Sequence, residues 1–130
     1  MSEDPSSYGE KMKSKGGLSR LWAASCYSRD GLIGAWRHEH AFRQELFVIV
    51  PLLVVAVALP VTWRETAVLC ASLLLVLIVE LLNSAMETCV DYISLQRHPL
   101  AKRAKDMGSA AVTLSLVVAL ITWAAILLDK

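Results

Sequence analysis

Three blocks of the chain carry apolar residues without a single charge: Leu46–Val61, Thr66–Val79 and Gly108–Leu128. A helix needs about 20 such residues to cross a bilayer. The third block meets that length alone. The first meets it with Trp63 and part of the preceding AFRQE segment. The second meets it only if Glu80 and Asn83 lie at membrane depth. The pattern therefore predicts three transmembrane helices, over about residues 43–63, 65–93 and 106–128. Ahead of them, Leu18, Leu21, Trp22, Leu32, Ile33, Trp36 and Phe42 alternate with Arg20, Arg29, Arg37 and Arg43. That mixture predicts an N-terminal amphipathic helix over about 17–40, lying on the membrane surface with its tryptophans at headgroup level. Gly31 and Gly34 are expected to bend it. Pro51 is expected to kink the first span, Pro60 to mark its outer end, and Pro99 to break the chain before the third span. The fold class is an all-α membrane protein, with residues 17–130 as one integral-membrane domain. Residues 1–16, MSEDPSSYGEKMKSKG, are rich in Ser, Gly and charge and are expected to form a disordered tail.

Composition supports this picture. The chain has 130 residues, 55% of them hydrophobic, which is too apolar for a soluble domain of that length. The polar first forty residues hold nothing like a cleaved signal. The net charge of +1 is uninformative, and no nucleic-acid partner is expected. Its distribution matters more. Seven Lys or Arg precede the first span, and Arg97, Lys102, Arg103 and Lys105 lie between the second and third. Only Arg64 and Lys130 lie on the other side. The positive-inside bias then places the N-terminus and the 92–107 loop in the cytoplasm, with the 62–65 turn and the C-terminus opposite. Cys26, Cys70 and Cys89 have no metal-ligand spacing and read as small apolar residues without a disulfide.

The stretch LIVELLNSAMETCVD contains the first candidate chemistry. Glu80, Asn83, Glu87 and Asp91 follow one another at intervals of three, four and four. On a helix they occupy a stripe roughly 80° wide. Glu80 lies fourteen residues after Thr66, about 21 Å along the axis at the helical rise, inside the cytoplasmic half of the hydrocarbon core. One reading is a helix–helix hydrogen-bond seam, with Asn83 and Ser84 as glue and the acids as a solvated end. For Glu80 that reading is weak. An ionisable group at such depth costs on the order of 2.5 kcal/mol or more and marks a functional site by default; there it can take a proton. Glu87, nearer the water, is better placed to hold a cation.

The loop HPLAKRAKDMGSAA supplies the complementary charge. Arg97, His98, Lys102, Arg103 and Lys105 gather beside the acidic stripe. Asp106, Gly108 and Ser109 are expected to open the third helix, where free backbone N–H groups favour anions. Topology and anionic-lipid binding would also explain the basic loop. Carboxylates for a divalent ion beside basic groups for phosphate are the parts of phosphoryl transfer. No Walker-type loop or protein-kinase motif is present, so that chemistry needs another scaffold.

ELLNSAMETCVD and RAKDMGSAAV, with AFRQE upstream, resemble the small bacterial integral-membrane diacylglycerol kinases. The likeness runs from about Arg20 to Leu127. It implies a homotrimer in the bacterial inner membrane that moves the γ-phosphoryl of MgATP onto the primary hydroxyl of diacylglycerol, at the cytoplasmic interface. By that resemblance Glu80 matches the general base and Asn83 the amide of the same motif. Glu39 and Glu87 match the glutamates that hold Mg²⁺ with its nucleotide. Arg20, Tyr27, Arg97, His98, Lys105 and Asp106 fall among the ATP-binding positions. Arg20 and Ser109 fall with Glu80 at the lipid-substrate end, and Glu45 and Asp91 match further acidic positions. The chain departs from the usual pattern at Arg29, Ile33, Gln96 and Arg97, which bears on lipid and nucleotide contacts.

Two other readings stay open. An undecaprenol kinase of the same family would share these motifs, although AFRQE and the third helix favour diacylglycerol. A small proton-coupled exporter also uses an intramembrane Glu, but such proteins commonly have four spans with that Glu in the first, and the KRAKD loop would be idle. The small residues Gly108, Ser109, Ala110 and Ala111 are expected to admit a neighbouring helix. A three-helix protomer is expected to cover the acidic stripe only partly, and a trimer to complete the cover.

Overall fold

The computed structural model describes residues 16–130 as four helices. They are α1 (Gly17–His38), α2 (His40–Ala58), α3 (Trp63–Ile93) and α4 (Pro99–Leu128). Apart from Gly16, the tail expected over residues 1–16 lies outside the described residues. These residues divide into two compact units, one ending at Arg37 and the other running from His38 to Lys130. The first is essentially α1, which runs through Gly31 and Gly34 without a break.

In the second unit α2, α3 and α4 are each long and apolar enough to cross a membrane. The central element is α3, which packs against both α2 and α4. Ile49, Leu73, Val76 and Ala119 form the core between them, flanked by Leu52, Leu53, Leu77 and Trp123. Two buried serines sit in this apolar setting because each spends its hydroxyl inside its own helix. Ser72 donates to the Leu69 carbonyl at 2.7 Å and Ser115 to the Val112 carbonyl at 2.6 Å. Such intrahelical bonds satisfy small polar groups where no water can reach. Helix α2 carries Pro51 in its interior and still runs unbroken to Ala58, and Pro60 lies in the turn that follows.

Side-chain chemistry at the turns sets the helix ends. Thr62 caps α3: its hydroxyl accepts from the Glu65 N–H at 3.3 Å, while the Glu65 carboxylate accepts from the Thr62 N–H at 2.7 Å. This reciprocal box satisfies two otherwise orphaned donors. The same carboxylate meets Lys130 at 3.0 Å, tying the last residue of the chain to the start of α3. At the opposite corner His98 caps α4, its Nδ1 accepting from the Leu100 N–H at 3.1 Å. Pro99 follows at the first helical position, where its fixed φ suits the helix and its missing N–H leaves nothing unsatisfied.

That cap corrects the expected start of the third helix. The helix begins at Pro99, so the connection shrinks to residues 94–98 and the free N–H groups lie just after His98. Asp106, Gly108 and Ser109 sit two turns inside, where their backbone donors are committed to the helix. The run AKRAK is made of strong helix formers, and with a proline to start it nothing delays the helix to residue 106.

Gly108 also has another neighbour than expected. A Cβ there would run into Asn83 Oδ1 and meet Met86 Cε at 2.6 Å. The glycine admits α3 of its own chain, while Ser109, Ala110 and Ala111 are exposed. Replacing it sets two effects against each other. Ala gains about 1 kcal/mol of helix propensity, and overpacking costs about 1–3 kcal/mol. Gly108→Ala is therefore expected to be mildly destabilising, since both obstructing atoms end movable side chains. Gly108→Leu, which must part the helices, should lower the thermal midpoint in detergent much further. Equal midpoints for the two variants would show that α3 and α4 do not meet closely at this glycine.

Candidate functional site

Helix α3 enters the bundle as an apolar rod, and its deepest charge is Glu80. This side chain is only 4% exposed, so one chain suffices to cover it. The expectation that the stripe stays partly open in a single protomer is corrected for this residue. Both α2 and α4 pack against α3. The Glu80 carboxylate accepts from the Ser84 hydroxyl at a long 3.5 Å. Ser84 itself is buried. It lies four residues on, the spacing at which helical side chains meet, so this partner was readable from sequence.

Other carboxylates converge on Glu80. Glu39 and Glu87 lie within electrostatic reach of it, and it lies within reach of Glu45. Glu39 is the N-cap of α2 and makes no side-chain capping bond. Glu45 stands in the second turn of α2, and its Oε2 is buried without a hydrogen-bond partner. Asn83 donates through Nδ2 to Glu87 Oε1 at 3.3 Å, and its own Oδ1 is buried and unpartnered. The close approach at Gly108 holds that amide against α4. No three His, Cys, Asp or Glu side chains among the described residues form a ready-made metal cage.

Toward the α3–α4 corner the charge changes sign. A cleft of about 620 Å³ opens there, with Asp91, Arg97, His98, Lys102, Lys105 and Asp106 on its walls. Four of the expected nucleotide positions, Arg97, His98, Lys105 and Asp106, thus share one concavity. Lys105 Nζ meets Asp91 Oδ1 at 2.7 Å and lies within electrostatic reach of Glu87. Lys102 Nζ meets Asp106 Oδ2 at 2.6 Å. Lys102 was read only as part of a basic loop, though its spacing of four from Asp106 signals the pair. Nothing local signals Asp91 with Lys105, which are fourteen residues apart on different helices.

A second, largely apolar cavity of about 470 Å³ lies among α2, α3 and α4. Gln44 and Glu45 line it near the start of α2, and Trp123 lines it near the end of α4. The Trp123 indole N–H is buried and unpartnered. Ser109 lies exposed on α4, its carbonyl accepting from Thr113 Oγ1 at 3.1 Å. Arg20 and Tyr27 lie exposed on α1, in the other compact unit.

Comparison with known proteins gives this arrangement a family. A model of the prokaryotic diacylglycerol kinase family matches residues 26–127. A diacylglycerol kinase of Pseudomonas aeruginosa is 53% identical over 116 residues, covering 89% of this chain and 94% of the relative. One from Escherichia coli (strain K12) is 47% identical over 85% of this chain and 91% of its own length. One from Haemophilus influenzae is 44% identical over 85% and 94%. The family match covers α2, α3 and all of α4 but its last residue, with the glutamates and the basic cleft inside it. The chain belongs to the prokaryotic diacylglycerol kinase family.

Proposed function

We propose that this protein transfers the γ-phosphoryl group of MgATP to the primary hydroxyl of diacylglycerol, giving phosphatidic acid and ADP. The observation that carries this reading is the buried Glu80 on a membrane helix, with further glutamates around it and a basic cleft at the end of the same helix. A soluble nucleotide and a membrane-bound alcohol need such a two-part site. One part must stand in water and the other at the depth of a lipid hydroxyl.

Each group then has a task. Glu80 takes the proton of the acceptor hydroxyl as its oxygen attacks the γ-phosphorus and the bond to the β-phosphate oxygen breaks. Asn83 holds Glu87 through its amide. Glu39 and Glu87 would hold Mg²⁺, which fits a site without a full protein cage, since this ion keeps waters and shares one or two carboxylates with substrate phosphates. Bound there, the ion neutralises phosphate charge. Lys105, Arg97 and His98 meet the phosphates in the cleft, and Asp106 accepts hydrogen bonds from the nucleoside. The apolar cavity beside Glu45 suits an acyl chain, with Ser109 near the lipid headgroup. Helix α1 lies amphipathically on the membrane surface and carries Arg20 and Tyr27, which match nucleotide-binding positions of the family.

The Lys- and Arg-rich corner faces the cytoplasm of the bacterial cell under the positive-inside rule, and the Glu65–Lys130 end faces the periplasm. The assembly is a homotrimer. With Glu80 covered inside one chain, the family resemblance carries the trimer. Leu74, Ile78 and Leu82 recur every fourth residue on α3 and are 48%, 52% and 66% exposed. Such a stripe is at home against lipid tails as well as against a neighbouring copy.

The founding test is label transfer from ATP to diacylglycerol by detergent-purified protein, with undecaprenol alongside. Transfer to undecaprenol alone would overturn the substrate assignment. Glu80→Gln keeps the shape and removes the proton acceptor, so activity should fall about 10²–10⁴-fold with folding and assembly intact. A loss below about tenfold would remove Glu80 as the base.

Glu39→Ala and Glu87→Ala should each raise the Mg²⁺ concentration needed for half-maximal activity, because the remaining carboxylate must hold the ion largely with water. Lys105→Ala should weaken ATP binding with little change in Mg²⁺ demand, since it meets phosphate charge directly. Mg²⁺ titrations of the three variants separate these roles, and an unshifted curve for either glutamate removes it as a ligand.

Assembly with sites shared between protomers predicts complementation. At limiting Mg²⁺, where each is nearly inactive alone, Glu80→Gln and Glu39→Gln subunits should regain part of the activity when unfolded, mixed and refolded together. A mixture as inactive as its parents, where wild-type protein refolds, would place both glutamates of each site in one chain.

A further inference from the structure

The ion pair across the α3–α4 corner has no task in the chemistry described so far. Asp91 Oδ1 and Lys105 Nζ stand 2.7 Å apart, with side chains 46% and 41% exposed. A pair so open to water contributes little to stability, so its value lies elsewhere. Both residues line the basic cleft, and Lys105 also lies within electrostatic reach of Glu87. Asp106, the other acid lining the cleft, is already held by Lys102 at 2.6 Å on its own helix. Asp91 alone reaches across.

A lysine is a point charge on a flexible four-carbon stem with three donors. Free in solvent, it must lose rotamer freedom when an anion arrives. Asp91 removes much of that loss beforehand. It occupies one donor, keeps the ammonium in the cleft and leaves two donors for phosphate oxygens. Asp91 also shares the α3 stripe with Glu80, Asn83 and Glu87, which fixes the lysine in register with the glutamates. We propose that Asp91 is the positioning residue for Lys105, presenting its ammonium to the phosphates of the nucleotide. This rests on the lipid-kinase reading above.

The test compares wild-type protein with Asp91→Asn and Asp91→Glu, using steady-state kinetics in ATP and in diacylglycerol together with binding of a non-hydrolysable ATP analogue. Asp91→Asn should raise the KM for ATP about two- to five-fold, the size expected of a partly exposed ion pair. The KM for diacylglycerol and the thermal midpoint should not move, and Asp91→Glu should restore much of the ATP affinity. In a Lys105→Ala background, Asp91→Asn should weaken analogue binding no further, because its partner is gone. An unchanged or lower KM for ATP in Asp91→Asn would overturn the proposal. So would parallel rises in both KM values with a lower midpoint, or additive losses in the double variant. Failure of wild-type protein to phosphorylate lipid would instead overturn the kinase reading, and the analogue-binding comparison would still decide the role of Asp91.

Discussion

Everything in this molecule is arranged around one costly burial, the carboxylate of Glu80 inside a helix long and apolar enough to span a bilayer. Nothing nearby offsets the burial in full. Ser84 offers a hydroxyl at 3.5 Å, a marginal hydrogen bond. A buried polar network with vacant acceptors is a poor way to stabilise a fold. Glu45 Oε2 and Asn83 Oδ1 are buried without a hydrogen-bond partner. Glu80 and Glu45, short of partners on adjoining helices, make sense where a substrate meets them, and that favours the lipid-kinase reading over a structural seam.

The second constraint is distance along one helix. From Glu80 to Asp91 is eleven residues, about 16 Å at the helical rise. That span takes α3 from an apolar interior to a wet corner, so one rigid element carries both halves of the candidate site. Helix α4 runs back alongside and contributes Lys105 and Asp106 to the wet end and Gly108 beside Asn83. The glycine sets how near the helices come, and the ion pair of Asp91 with Lys105 sets where the ammonium sits. At the far end the capping box and the Glu65–Lys130 contact close the same pair of helices, so α3 and α4 are held at both ends.

Much of the apolar surface remains outside. Each span buries only a small part of itself within one chain: 17% of the most apolar window of α2, 28% of α3 and 11% of α4. In water such faces would aggregate. In a bilayer they are ordinary, because lipid tails are as apolar as leucine and burial against protein gains little there. What a membrane helix must hide is its polar groups, and α3, which carries most of them, is accordingly the most covered of the three.

The sequence by itself determined the number of spans, the face of α3 that carries Glu80, Asn83, Glu87 and Asp91, and the family. Those features follow from local rules: apolar run length, helical periodicity and motif spacing. It also carried the i,i+4 pairs of Glu80 with Ser84 and of Lys102 with Asp106, because helix geometry alone brings them together. Tertiary structure decided the rest. The start of α4 moved to Pro99 because a histidine cap and helix-forming lysines prevailed over an apolar count that began only at Gly108. The role of Gly108 turned inward because the helix close to it belongs to the same chain. Glu80 proved covered within one chain because α2 and α4 both pack on α3. The pairing of Asp91 with Lys105 depends on how two helices cross beyond a five-residue connection, residues 94–98, and no spacing in the sequence encodes that crossing.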